Sequence, residues 1–240
     1  MKQVAGIWLP DAEVELIPFL TDPKTQRRGK GTYQIHKLEA ALRHCKAFRC
    51  ALDIGSHVGL WTMHLIRRFD DVHCFEMSEE HRECWRANIE PGPQDGVAHL
   101  WPFGLGVDNT VCTMVEEAMP QGGIASGGNR VGDFGGISGR GDHLISDRPG
   151  VAHLRRLDDV AGAGFWTAID FIKMDVEGFE YFVLRGGEKT IREHRPVMIV
   201  EQKPGRAEKY SLNQYDAKVL LEAWGAREVE RISGDHIFTW

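Results

Sequence analysis

The sequence predicts a mixed α/β fold: a mostly parallel sheet with helices on both faces, finished by an antiparallel hairpin. Three observations predict it. Short apolar runs ending in acid or glycine alternate with helical patterns from Cys50 to Gln202, as strand–helix–strand units do. Those runs are apolar throughout instead of alternating, which is what strands covered on both faces require. The last segment, REVERI and HIFTW around SGD, reads as two strands joined by a turn. A length of 240 residues suits one such domain with a sizeable core.

Taken in order, residues 1–47 read as an N-terminal cap segment with a helix. IWLP and VELIPFL suit short strands or extended packing segments, and TDPKTQRRGKG is a polar, basic loop. Ile35, Leu38, Ala41, Leu42 and Cys45 recur at helical spacing between Tyr33 and Lys46. Residues 48–240 then form the main domain. CALDIG is its first strand, with a helical pattern over Leu60–Phe69 behind it. VHCFEM is the second strand, and Ser78 with two acids after it starts a helix. AHLWPFGLG is a third strand and VCTMVEE an extra one. Residues 119–141 hold 9 of the 27 glycines without periodicity, which reads either as a surface insertion or as a lid over a site. VAHL is a strand and RRLDDV a short helix or turn. IDFIKMDVEG and VMIVEQ are buried strands, with one helix over Phe179–His194 between them, and Leu212–Trp224 is amphipathic.

Composition narrows the function classes. The chain is 42% hydrophobic and 27% charged, ordinary for a globular protein. No apolar run reaches the roughly 18 residues of a membrane span. The N-terminus meets acid and proline too early for a secretory signal. Five cysteines without a CxxC pair read as reduced thiols, so a cytoplasmic protein is expected. The net charge of −6 argues against a nucleic-acid partner. The basic cluster Lys24, Arg27, Arg28 and Lys30 is either a solvated loop or a contact for an anionic acceptor.

The strongest local signal is DIGSHVG, Asp53–Gly59, between a strand and a helix. Gly55 and Gly59 permit a tight turn and close approach of backbone to a ligand, with Ser56 and His57 between them. The spacing is not GxGxxG. It suits a ligand bearing a carboxylate and an ammonium, with Asp53 taking the ammonium. Glu76 closes the second strand, 23 positions on, where an acid accepts ribose hydroxyls. Met77 follows it, and Phe103 near the end of the third strand can flank an adenine. Together these indicate an adenosine-bearing cofactor, without separating S-adenosylmethionine from NAD.

FIKMDVEGFE, followed by LRGGEKTI and RPVMIVEQ, resembles the FkbM-type methyltransferase family. Lys173, Asp175, Glu177, Gly178, Glu180, Leu184, Gly186, Pro196 and Glu201 match its pattern, and DIGSHVGLWT, CFEMSEEHRECWRANI and LRRLDDV resemble its upstream parts. Met77 departs from it, where proline is common. The resemblance implies a Rossmann-like class I methyltransferase fold with seven strands. It also implies an S-adenosylmethionine-dependent O-methyltransferase acting on a sugar, glycan or polyketide-type hydroxyl.

Such transfer needs an acceptor oxygen aligned with the methyl group and a sink for its proton. Asp175, Glu177 and Glu201 stand at strand ends and are the candidate catalytic groups, with His57 as the next; Asp175 is a candidate cofactor-binding residue as well. Catechol-type O-methyltransferases hold magnesium with a carboxylate after strand four and an acid–amide pair after strand five. Asp175 and Glu201–Gln202 occupy comparable places, so Mg2+ is a candidate ligand. The structural alternative pairs Glu201 with Lys173 or Arg195. Other readings remain open: a NAD oxidoreductase, a ribose or other nucleic-acid-linked methyltransferase, and a catalytically silent cofactor-binding protein. Neither the acceptor nor the oligomeric state can be read from the residues.

Overall fold

A computed structural model describes residues 1–27, 29–90, 96–118, 124–131, 151–164 and 166–240. Seven strands make the central sheet. In chain order they are β1 (Cys50–Ile54), β2 (Asp71–Phe75), β3 (Val97–Trp101), β4 (Phe171–Met174), β5 (Val197–Glu201), β6 (Arg227–Ile232) and β7 (Asp235–Thr239). Across the sheet they lie 6-7-5-4-1-2-3. β1 to β5 are parallel, while β7 runs antiparallel to β5 and β6 antiparallel to β7. The expected mixed α/β architecture with a mostly parallel sheet is thus the observed one.

Every residue of β1, β4 and β5 is buried, as their unbroken apolar sequences require. Alternate side chains feed two cores on opposite faces. Leu52, Ile54, Ile172, Met174, Met198 and Val200 join one. Ala51, Phe171, Val197 and Ile199 join the other, under the helix Ile35–Leu42. Asp53 and Lys173 fall in the same alternation as Ala51 and Phe171, and they are register partners. Strand order turns between β1 and β4, so a crevice opens beyond their carboxyl ends.

Several elements differ from the sequence expectation. VELIPFL is helical over Leu16–Thr21, because Glu13 Oε1 accepts the Leu16 N–H at 2.9 Å and Leu16 and Leu20 bury one face. Pro18 sits in the first turn, where no intrahelical donor is lost. The third run splits: Val97–Trp101 stays in the main sheet, while Gly104–Leu105 enters a second one with Val151–Arg155, Thr110–Ala118 and Ile124–Val131. Ile124–Val131, inside the glycine-rich stretch, is therefore a strand, paired with Thr110–Ala118. Residues 119–123 and 132–150, on which most of the lid expectation falls, lie outside the described residues. The helix over Phe179–His194 breaks at Gly187 into Glu180–Gly186 and Glu188–His194.

The first residues form a hairpin of Lys2–Val4 and Ile7–Leu9. Ile7, Leu9, Leu16 and Leu20 pack on Val58 and Leu60 of the glycine loop and on Cys84. Asn88 pins this contact: its Nδ2 donates to Trp8 O (2.9 Å) and Val58 O (2.8 Å), and its Oδ1 accepts from Trp8 N (2.8 Å). The N-terminal segment is therefore built into the wall of the crevice.

Candidate active site

A cavity of about 310 Å³ occupies the crevice. Gly55, Ser56, His57, Glu76 and Met77 line one part, and Asp175, Glu177 and Glu201 line another. Glu15, Leu16, Phe19 and Tyr33 of the N-terminal segment complete the wall.

On the first side Glu76 follows β2 directly. Its Oε2 accepts the His57 N–H (2.9 Å) and its Oε1 the Ser78 N–H (2.8 Å), with His81 Nδ1 3.6 Å away. Burial alone would raise this carboxyl. The His81 side chain, the His57 charge and the Ser78 amide outweigh burial and bring it down to about 2. Ser78, as expected, caps the next helix, Glu79–Ile89. His57 has a left-handed backbone (φ +52°) that directs its N–H at Glu76. Its ring lies 4.0 Å from that of His81, and burial, then the His81 charge, holds it well below the usual imidazole range. Buried Ser56 Oγ and His57 Nε2 have no protein partner. An ionised acid, two orphaned polar atoms and a cavity of this size suit a polar cofactor with vicinal hydroxyls.

Gly55 lies where a Cβ would come within 2.0 Å of Asp175 O, so only glycine lets the β1 turn meet the end of β4. Gly59 serves packing instead: a Cβ there would be 2.9 Å from Trp85 Cδ1, and Gly59 is not in the cavity wall. Asp53 also departs from expectation. It is fully buried and lies outside the cavity lining. Its Oδ2 accepts from Thr62 Oγ1 (2.7 Å) and its Oδ1 faces Lys173 Nζ at 3.2 Å. Burial would lower the Lys173 ammonium, but Asp53 and then Asp175 outweigh it. Lys173 donates in turn to Gly55 O. Asp53 therefore sets the glycine turn through Lys173, which itself lines the cavity. Phe103 packs on Phe75 and Trp101, with centroids 5.8 and 5.7 Å away, and its neighbour Gly104 lines the cavity in its place.

On the second side, ligand oxygens of Asp175, Glu177 and Glu201 lie within 4.8 Å of one another. Lys203 pairs with Glu201, and Arg206 Nη1 lies 2.6 Å from Glu177 Oε2. Burial first and the Asp175 charge second push both glutamates well up, against the pull of those cations. Glu177 is also left-handed (φ +60°), which turns it back to the cluster. Glu180 braces the same turn: its Oε1 accepts from Val176 N (3.0 Å) and Gly178 N (3.2 Å). From the N-terminal segment, burial and then the Asp175 charge push the Tyr33 phenol up to about 12. The FkbM methyltransferase domain model matches residues 23–227 of the chain.

The chain belongs to the FkbM methyltransferase family. It is thus a methyltransferase, which removes the NAD oxidoreductase reading. Three solved structures are similar to the chain at low identity. The FkbM methyltransferase of Methylobacillus flagellatus is 16% identical (TM-score 0.47), over 80% of this chain and 44% of that one, so this chain spans less than half of it. A precorrin 8w decarboxylase of Methanobacterium thermoautotrophicum is 13% identical (TM-score 0.46), over 92% and 96%. A precorrin-6y C5,15-methyltransferase of Geobacter metallireducens is 10% identical (TM-score 0.43), over 97% of each chain. No curated protein matches the chain.

In this FkbM domain the candidate magnesium set does not assemble as expected. Gln202 turns away from the cluster: its Oε1 accepts the Lys218 N–H at 2.9 Å and it lines a different, small cavity. Glu177 stands in its place, and Lys203 and Arg206 already neutralise two of the three carboxylates. With two cations offsetting the charge that would hold a divalent ion, and without the amide of Gln202, the donor set does not match the expected acid–amide magnesium site. Glu201 pairs with Lys203, and neither Lys173 nor Arg195 serves it. Sequence reasoning missed Phe19, Tyr33, His81, Lys203 and Arg206. Only for Lys203 and Arg206 was there a signal, two cations close behind the acid that ends β5.

Proposed function

We propose that this methyltransferase transfers the methyl group of S-adenosylmethionine to a hydroxyl oxygen of a sugar, glycan or other small molecule. One observation carries the reading: a single cavity joins an ionised glutamate, Glu76, to a cluster of three acids at the ends of β4 and β5. Bound there, the cofactor supplies an activated methyl group on a sulfonium. Glu76 accepts the ribose hydroxyls, with Ser56 Oγ, His57 and the Gly55 turn beside it. Met77 and Gly104 form the apolar wall for the base. Asp175 takes the proton of the acceptor hydroxyl. Glu177 and Glu201, anchored by Arg206 and Lys203, hold that hydroxyl in line with the methyl group.

Residues 1–47 act as a cap that completes the cavity, and residues 48–240 as the catalytic unit. Among the described residues no helix is long and apolar enough to cross a membrane. Calorimetric titration with S-adenosylmethionine, its demethylated product and NAD tests the cofactor assignment. The first two are expected to bind and NAD not to; NAD binding alone would refute it. Chelator is expected to leave turnover unchanged, in keeping with a cluster neutralised by its own cations.

A further inference from the structure

Tyr33 lines the cavity without a role in the cofactor or acid contacts. Its position is fixed from two sides. The next residue, Gln34, has a left-handed backbone (φ +54°) and opens the helix Ile35–Leu42. Such a backbone persists in a glutamine only where the surroundings enforce it. Here Gln34 Oε1 accepts from Trp61 Nε1 (3.3 Å), and Trp61, just beyond the glycine turn, lines the same cavity. On the other side Lys37, in the first turn of that helix, pairs with Asp235 at the start of β7. Both side chains are only 5% exposed. Asp235 is the register partner of Glu201 on β5. The Tyr33 ring is therefore held between the cofactor turn and the acid cluster, with Phe19 edge-on against it at 5.5 Å.

Neither Lys37 nor Asp235 lines the cavity. A buried ion pair adds little net stability, because leaving water offsets the attraction, and its best-attested use is to fix register. This pair joins residues 198 positions apart and ties the segment carrying Tyr33 to the strand beside Glu201. Gln34 orients the phenol as well. With its Oε1 taken by Trp61, its amide N–H2 is left for the Tyr33 oxygen and draws the phenol down, while burial and then the Asp175 charge prevail and hold it at about 12. The O–H is thus kept at physiological pH, and nothing among the described residues accepts it. It is available to a ligand in the acid-lined half of the cavity.

We propose that Tyr33 is the hydrogen-bond donor that orients the acceptor oxygen at the methyl group, and that Lys37–Asp235 is the ion pair that positions it. The first clause rests on the O-methylation reading; the second does not. Asp175 accepts and Tyr33 donates, and a hydroxyl complements both. Its hydrogen faces Asp175, one lone pair accepts from Tyr33, and the other points at the methyl carbon. As that oxygen bonds the methyl carbon, the carbon–sulfur bond breaks with its electron pair left on sulfur, and the proton passes to Asp175. An amine cannot fill this place, because its single lone pair is needed for the attack. The two groups together therefore select oxygen over nitrogen.

The test is NMR of the full chain labelled with carbon-13 at tyrosine Cζ, the Tyr33 signal being identified by its loss in Tyr33→Phe. Titrated from about pH 6 to 9, that signal should shift as the raised carboxyls of Glu177 and Glu201 ionise beside it. Saturation with S-adenosylmethionine should shift it further than saturation with the demethylated product, which lacks the sulfonium charge. Glycerol, a small hydroxyl probe, should shift it saturably when the demethylated product is bound. Lys37→Met/Asp235→Leu removes both charges without stranding one, so the unfolding midpoint should stay near wild type. This variant should lose the pH response and the glycerol shift, while its calorimetric affinity for S-adenosylmethionine stays near wild type. Lys37→Arg, which keeps the pair, should retain both responses. Gln34→Gly cuts the other tether without backbone strain, so it should lose the same responses even if the double variant does not fold. A folded double variant, or Gln34→Gly, with the wild-type pH response would overturn the positioning role. A wild-type Tyr33 signal blind to glycerol, or to the difference between the two cofactor forms, would overturn the donor role. Failure of both forms to bind by calorimetry rejects the methyl-transfer reading, while the positioning role is still decided by the pH response, which is read without them.

Discussion

Glu76 and Glu201 follow or end two strands of one sheet, face one cavity and are both buried, yet their carboxyls are driven in opposite directions. Glu76 receives two backbone N–H groups and faces His81. Glu201 has Asp175 and Glu177 as neighbours and one lysine to offset them. Burial acts the same way on both, so the neighbours decide. Backbone donors are fixed and cannot leave, which suits a permanent acceptor for hydroxyls. A crowd of like charges suits groups that must share or pass a proton. The two halves of the cavity are thus chemically distinct although both are built from acids at strand ends.

The comparison breaks most sharply at Asp175. Asp175→Asn removes the proposed proton acceptor while keeping its shape, so turnover should fall by roughly 10²–10⁴. Cofactor affinity should stay within a few fold, because Glu76 is untouched. Near-normal turnover with a true acceptor would move the base elsewhere, first to His57. Next in size is Asp53→Asn. It leaves buried Lys173 without its carboxylate, which costs about 3–5 kcal/mol when one partner of a buried pair is removed. The loss should appear in urea unfolding. If Asp53 instead held the cofactor directly, stability would survive and affinity alone would drop.

What the sequence made legible follows the same division. Strand–helix alternation located β1, β2, β4 and β5, and the place of Glu76 at a strand end, 23 positions after Asp53, put it on the cavity, because both signals are local. Asp53 was legible as important but not in its role. The signal was a lysine in an apolar strand, Lys173, whose register partner is the buried acid of the neighbouring strand. Phe19 reaches the cavity from a short helix that contains Pro18 and shows no clear period, and Tyr33 from the loop before the helix Ile35–Leu42. Ile124–Val131 is a strand despite paired glycines, because its partner strand supplies the order that its own propensities do not. Gln202 failed by one position: the chain leaves β5 after Glu201, and its amide reaches the next helix instead.

Glu76→Gln sharpens the cofactor half. A neutral amide cannot accept both ribose hydroxyls with charged strength, each such bond contributing roughly 1.5–3 kcal/mol. Affinity for S-adenosylmethionine should fall at least about tenfold. The same variant should flatten the acid limb of stability. The folded carboxyl, held at about 2 against an ordinary 4.5, contributes stability that is fully present above pH 4.5 and lost as pH falls toward 2. Calorimetry and denaturant titration at several pH values check both effects, and an unchanged acid limb would show that the His81 and amide contacts do not form.

The smallest expected effect has the opposite sign and lies beside the acid cluster. Glu180 is buried where it braces the Val176–Gly178 turn, and burial outweighs its two backbone hydrogen bonds to push it up to about 7. Below pH 4.5 folded and unfolded chains are both protonated at this group. Between 4.5 and about 7 the unfolded chain releases its proton while the folded one keeps it, so stability declines as pH rises through that window. Glu180→Gln keeps the accepting oxygen and removes the titration. It should therefore cancel that part of the decline and leave the variant on the order of 1–2 kcal/mol more stable than wild type above pH 7, less than the full shift implies because the new amide N–H2 must find an acceptor. Urea midpoints measured from pH 4.5 to 8 decide it. Parallel curves for the two proteins would mean that Glu180 is ionised in the folded state, and that the turn carrying Asp175 and Glu177 is wetter than its packing indicates.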